Sequence, residues 1–374
     1  MNGSEYIAEF LKRKNMDTIF LVTGGAIAFV VDAIGEKGFS QYVCVQHEQT
    51  ASMAADSVWR TSDRKKIGVS MATSGPGAVN LLSGLGCSYV DSIPSFCITG
   101  QVNINESSKY GYAKLRQAGY QEIDIVKMSK SVTKFSVQVK SPYELKYNLE
   151  KAYYLATNGR NGPVLIDVPM NLQQMEVGDF EEFNYFDKTN NPNQLTDISQ
   201  KKSIIDFFQD SERPLILFGA GVGLASVENQ VIEWINKEQI PFVASWSSLS
   251  YFDNNNQNYY GHIGVYGNRG ANFILQNCDA LLVLGSRLDN RQRSSNPSSF
   301  APKAKKLVID VDNEELRKYH NDDYSTINLN LKVAINIINK IQIGKIDNEW
   351  SEYLVKIKKQ YFGKDISTFS KDNN

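Results

Sequence analysis

The stretch "CVQHEQTASMAADSVWR", residues 44–60, places His47 and Glu48 where an apolar run gives way to a segment crowded with small residues. The pattern puts Glu48 at the seam between a strand and a helix. A carboxylate in a helix's first turn is stabilised by the macrodipole, which is one reading of Glu48. The other is a catalytic carboxylate at the carboxyl edge of an α/β sheet, where ligands gather. Position alone leaves both open. A second cluster, "TSGPGAVN", offers Thr73 or Ser74 as a helix cap and Pro76 in the first turn. It also brings the Gly75 and Gly77 backbone close to any ligand, and a plain helix start does not call for glycine on both sides of a proline. A third, "LFGAGVGLAS", sets Gly219, Gly221 and Gly223 where a backbone can approach a diphosphate at a helix N-terminus. The dinucleotide pattern wants glycine at Leu224 and an acidic residue near Ser245 and Trp246. Beyond it, "GSRLDNRQR" holds Arg287, Arg291 and Arg293, guanidinium groups suited to clamping phosphate. A structural turn and surface charge explain this third cluster equally well.

These residues need elements to position them, and the chain supplies a regular alternation. An amphipathic helix near residues 4–14 leads to "TIFLV", a helix over "IAFVVDAIGEKG", "YVCVQ", a helix from Glu48, "KIGVSMA", a helix from Pro76 and "PSFCITG". After a long loop come "SVTKFSVQV", a helix starting at Ser141–Pro142, and "GPVLIDVP". A second alternating unit contains "PLILFGAG", a helix through "VIEWINKEQ", "IPFVAS", "ALLVLGS" and "KLVIDVD". Strands alternating with helices predict an α/β protein of two doubly wound domains with mainly parallel sheets. The expected limits are 1–174 for the first domain, 175–198 for a polar linker, 199–340 for the second domain, and 341–374 for a C-terminal helix and frayed tail.

Composition excludes several classes. Among 374 residues the formal net charge is −1, so no global field draws the chain to nucleic acid or anionic lipid. The first residues lack the layout of a signal peptide, and no apolar run approaches a bilayer span. The four cysteines, Cys44, Cys87, Cys97 and Cys278, show no CxxC spacing and read as buried reduced thiols, which fits the cytoplasm. Three histidines argue against a histidine metal site or triad, and neither GxSxG nor GxxxxGK[ST] occurs. No metal site is expected in the chain itself.

Taken together, "HEQTASMAADSVWR", "TSGPGAVNLLSGLGCSYVDSIPSFCITGQV" and "GPVLIDVP" resemble the pyrimidine-binding domain of thiamine-diphosphate-dependent enzymes, with acetolactate synthases the nearest group. "AGYQEIDIVKMSKSVTKF" and "GVYGNRGANFILQNCDALLVLGSRLDNRQ" extend the likeness into that family's central domain. The resemblance implies that Glu48 hydrogen-bonds a ring nitrogen of the cofactor's aminopyrimidine and relays a proton, so that the thiazolium carbon can attack a 2-keto acid and store the electrons released on decarboxylation. It implies that Gly24 and Gly25 form the loop near the reacting centre, with Thr23 where proline is common, and that residues Ser74, Gly75, Pro76 and Gly77 contact the cofactor. Gln121 matches the family's active-site glutamine, and Lys134 a lysine at the substrate entrance. Central-domain positions matching a site for FAD or another nucleotide are Gly219, Gly221, Arg287, Asp289, Asp310 and Asp312, with Tyr266 in place of a histidine. A homo-oligomer, dimer or tetramer, is implied too, and the small face Ala51, Ala54 and Ala55 suits close helix contact. The family's third domain holds the cofactor diphosphate through Mg²⁺ with a GDG signature, which this sequence lacks. The expectation is a fragment, a truncated reading frame, or one subunit of a split enzyme that needs a separate diphosphate-domain subunit. The competing expectation is a non-catalytic nucleotide-binding or assembly subunit.

Overall fold

The structure, a computed structural model, describes residues 1–38, 41–108, 115–181, 198–319, 324–341, 343–344 and 346–362. It divides into two compact units, Met1–Asn190 and Asn191–Asn374. Among the described residues each unit is built on one six-stranded sheet. The first comprises β1 (Thr18–Leu21), β2 (Gln41–Cys44), β3 (Val69–Ala72), β4 (Phe96–Gln101), β5 (Phe135–Gln138) and β6 (Val164–Pro169), in the order β2-β1-β3-β4-β6-β5. Every pairing is parallel. Strands β3, β4 and β6 are buried throughout, as strands covered on both faces must be, which explains their continuous apolar runs. From β1 the chain steps to β2 and then returns across β1 to β3, so the order reverses between β1 and β3. A crevice at the carboxyl ends of two such strands is where α/β sheets bind ligands.

The second unit contains β7 (Pro214–Phe218), β8 (Phe242–Ala244), β9 (Tyr259–His262), β10 (Ala280–Leu284), β11 (Lys305–Asp310) and β12 (Tyr324–Asn328). Their order is β12-β11-β10-β7-β8-β9, again all parallel, with the reversal between β7 and β10. The edge strands β9 and β12 lie outside the sequence reading. β12 buries only Ile327 and the pairing of β9 is interrupted by a register shift, so neither shows the apolar run that marks a buried strand.

Four expectations need correction. Residues 175–181 are no free linker: Glu176 bridges to Asn2, Gly3 N donates to Met175 O, and Phe180 stacks on Tyr6 at 5.0 Å. The rest of the expected linker up to residue 197 lies outside the described residues. The helix Asn348–Tyr361 is likewise part of the second unit, burying Trp350, Leu354 and Ile357 in its core, while the expected frayed tail from 363 lies outside the described residues. Cys44 and Cys87 are exposed, Cys44 because β2 is an edge strand; Cys97 and Cys278 are buried, and all four are free thiols. The small face of the helix Glu48–Thr61 is consumed within the unit. Ala51 and Ala55 are fully buried, and a Cβ on Gly84 would lie 2.1 Å from Ser52 Oγ, so that helix presses directly on Leu82–Asp91. This face supplies no argument for self-association. Among the described residues no helix is long and apolar enough to cross a membrane.

Candidate active site

At the β1/β3 reversal three loops converge. The first follows β1 and carries Gly24 and Gly25, the second follows β2 and carries His47 and Glu48, and the third follows β3 and carries residues 73–77. Thr73 ties the first to the third: its Oγ1 accepts a hydrogen bond from Ala26 N at 3.2 Å. Gly24 is required by this approach, since a Cβ there would lie 2.5 Å from Thr73 Cβ, whereas a Cβ on Gly25 would meet nothing within 4 Å.

Glu48 opens its helix but does not cap it. His47 is the cap, its Nδ1 accepting from Gln49 N at 3.1 Å. The Glu48 side chain turns instead to the short helix Pro76–Asn80, where Asn80 Nδ2 donates to Oε2 at 2.9 Å. Glu48 is only 9% exposed, and its Oε1 accepts no hydrogen bond from the described residues. Gly77 lies alongside that oxygen: a Cβ there would sit 3.1 Å from Oε1 and 3.0 Å from Thr73 Cγ2. The expected cap of Pro76–Asn80 also needs correction. Neither Thr73 nor Ser74 caps it; Gly75 holds the cap position at φ 64° without a side-chain bond, and Pro76 follows as expected. Thr73 is occupied with Ala26, and Ser74 is buried. Asn80 escaped the sequence reading, although its place four residues after Pro76 in "TSGPGAVN" puts it one helical turn beyond the glycine-flanked proline.

Gln121 stands beside this cluster. Its side chain is exposed, its backbone is left-handed at φ 53°, and its carbonyl oxygen would lie 2.2 Å from a Cβ on Gly75. The neighbouring Glu122 organises the loop. Its carboxylate accepts from Ser107 Oγ at 2.6 Å, Ser108 N at 3.0 Å, Ala118 N at 3.1 Å and Gly119 N at 3.3 Å. Burial alone would raise its pKa, but the hydrogen bonds from Ser107, Ser108 and Ala118 prevail and pull it down to about 2. An unfolded glutamate titrates near about 4.3, so the contribution is complete above that pH and is lost as pH falls through about 2. The protection of the Ser108 and Gly119 amides, measured against the intrinsic exchange rate at each pH, should therefore be high at pH 5 and fall on acidification, and Glu122→Gln should remove that dependence. Lys134 has a different placement: its ammonium donates to the Leu155 and Asn158 carbonyls at the end of the helix Pro142–Thr157.

In the second unit Gly219 and Gly221 follow β7 at the other reversal. Gly219 N donates to Leu284 O and Gly221 N to Gly285 O, both at 2.9 Å, and a Cβ on either would strike the Gly285 backbone. These glycines join two strand ends. Asp289 caps Asn290–Arg293, Asp312 caps Asn313–Arg317, and Asp310 accepts from Asp312 N at 2.9 Å. Arg287 is exposed, its carbonyl held by Lys318 and Tyr319.

Two family models match the chain: "Thiamine pyrophosphate enzyme, N-terminal TPP binding domain" over residues 1–128 and "Thiamine pyrophosphate enzyme, central domain" over residues 202–334. The acetolactate synthase isozyme 2 large subunit of Escherichia coli is 34% identical over 322 residues, covering 85% of this chain and 55% of that protein. The acetolactate synthase large subunit of Lactococcus lactis is 29% identical over 96% of this chain and 60% of its own length. A probable acetolactate synthase large subunit from Methanocaldococcus jannaschii is 30% identical, with the same two shares. The chain belongs to the thiamine pyrophosphate enzyme family. It spans little more than half the length of these curated relatives.

As a member of that family, the chain can be tested for fit to two groups. The first unit fits the cofactor's aminopyrimidine. A nine-tenths-buried carboxyl has one oxygen tied and one without a partner among the described residues, and the space beside it would be filled by a single Cβ on Gly77. The glycine turn of the second unit does not fit a diphosphate, because its amides already donate within the protein. A nucleotide there would depend on Arg287 and neighbouring side chains.

Proposed function

We propose that the chain is the pyrimidine-binding and central part of an acetolactate-synthase-like enzyme, which decarboxylates a 2-keto acid and joins the remaining fragment to a second one. The observation that carries this reading is the buried Glu48 carboxyl, held by Asn80 on one oxygen beside the side-chain-free Gly77 at the sheet's reversal point. When bound, thiamine diphosphate supplies a thiazolium that takes up the electrons of decarboxylation. The chain's own part is to hold the aminopyrimidine and manage its proton. With the ring bound, Glu48 Oε1 would hold or give up the proton shared with a ring nitrogen, on a carboxyl that is 9% exposed. Gly25 and Gly77 would leave room for the ring, Gly24 and Gly75 let the loops close on Thr73 and on the Gln121 carbonyl, and Ser74 and Pro76 shape the third loop. Gln121, exposed on a loop held by Glu122, would contact substrate in this reading. Lys134 is assigned no substrate contact, since its ammonium is bound to helix carbonyls.

The diphosphate and its Mg²⁺ belong to a diphosphate-binding domain, on a longer chain or in a separate subunit. We place the enzyme in the cytoplasm as a homo-oligomer. Supplying this chain with a diphosphate-binding domain from a relative, Mg²⁺, thiamine diphosphate and pyruvate should give carbon dioxide release that requires both polypeptides. Persistent silence of the mixture, with the cofactor bound, would rule out the catalytic reading in favour of an assembly subunit. A flavin in the second unit is a separate question. FAD or ADP at millimolar concentration should raise the melting temperature only through Arg287, so Arg287→Ala should abolish any shift. No shift in the unaltered chain would rule out a nucleotide held by Arg287.

A further inference from the structure

We propose that Asn80 is a positioning residue that fixes the Glu48 carboxyl and directs its mobile proton to Oε1; this rests on the reading of Glu48 given above. Asn80 is the last residue of Pro76–Asn80, and its Nδ2 donates to Glu48 Oε2 at 2.9 Å. The helix that carries it is placed by local chemistry. Gly75 takes the left-handed turn, Pro76 starts the helix, and Gly77 passes the carboxyl with no side chain in between. An amide is suited to this task. It is neutral, so it neither neutralises the carboxylate nor competes for its proton, and it can donate to Oε2 whether Oε1 is bare or protonated. A proton on Oε2 would instead face a donor already in place, so the exchangeable proton is confined to Oε1. That oxygen is the one beside Gly77, without a hydrogen-bond partner among the described residues. The hydrogen bond also locks the carboxyl's rotation, which a charged acceptor makes stronger than a neutral one.

Two measurements on the full chain separate this inference from the cofactor reading. The first needs no ligand. In ¹⁵N spectra the side-chain amide protons of Asn80 should exchange slowly with solvent, and Glu48→Ala should speed them about tenfold, since a hydrogen bond to a charged group is worth that order. Fast exchange in the unaltered chain would overturn the positioning contact. The second uses thiamine, which carries the aminopyrimidine without the diphosphate. Asn80→Ala and the near-isosteric Asn80→Leu should each weaken thiamine binding about tenfold, yet add nothing in a Glu48→Ala background. Asn80→Leu keeps the volume but has no hydrogen to donate, so binding equal to that of the unaltered chain would overturn the inference. An equal loss from Asn80→Ala with and without Glu48 would do the same. An unaltered chain that ignores thiamine while Asn80 still answers to Glu48→Ala overturns the cofactor reading and leaves the contact standing.

Discussion

Glu48→Gln should leave the fold intact and remove turnover by a hundredfold or more in an assembly completed by a diphosphate-binding domain. The size follows from general acid–base catalysis, which contributes about 10²–10⁴ where a positioned group moves a proton in the rate-limiting step. The fold should survive because glutamine presents the same shape and still offers an oxygen to Asn80 Nδ2, now at 2.9 Å from Glu48 Oε2. Binding should survive in large part, since the amide can still make a hydrogen bond to a ring nitrogen. What it cannot do is accept and return a proton. Steady-state rates with pyruvate, alongside cofactor affinity measured separately, check this. Near-normal turnover would return Glu48 to a carboxylate that merely favours the positive end of its helix.

Gly75→Ala should destabilise the first unit by about 2–4 kcal/mol, combining a left-handed backbone with overpacking. At φ 64° an L-residue is strained whatever its surroundings, and here the added Cβ would lie 2.2 Å from the Gln121 carbonyl oxygen. Backbone cannot yield that distance without shifting the loop that carries Gln121. The same variant should therefore disturb both stability and the site. Gly25→Ala is the control. Nothing lies within 4 Å of its Cβ and its φ is not positive, so its stability should stay within about 0.5 kcal/mol of the unaltered chain. Urea denaturation of the three proteins checks both. A Gly75→Ala midpoint matching that of Gly25→Ala would show that the turn between β3 and its helix is not fixed as described.

The two α/β units were legible in the sequence because their central strands are buried on both faces, which forces uninterrupted runs such as "PSFCITG" and "ALLVLGS". Edge strands carry no such constraint, and β9 and β12 passed unread. Caps were legible where a side chain does the work, as at Ser141, which accepts from Glu144 N at 3.2 Å. They were not legible at Pro76–Asn80, where glycine's conformational freedom replaces a cap and frees Thr73 to tie two loops together. Glu48 drew notice because a charged residue at a strand–helix seam is informative. Asn80 did not, since an asparagine in a helix has many uses and only the tertiary approach of two loops shows which one applies. The glycines of the second unit mislead for a related reason. Sequence shows that a backbone comes close to something, and only the structure shows that this is Gly285 for Gly219 and Gly221 and the Tyr251 ring for Gly223.

In the proposed function the loops around Glu48 receive an aminopyrimidine ring. Neutral hydrogen bonds of about 0.5–1.5 kcal/mol each leave the ring alone bound in the millimolar range, roughly 4 kcal/mol. Nuclear magnetic resonance of the labelled chain, titrated with thiamine to about ten times that range, reads weak binding residue by residue. Saturating shifts should be confined to residues 24–26, 48 and 73–80, with Glu48→Ala abolishing them. Shifts centred on the second unit, or no saturating shift at any residue of the first, would contradict that function.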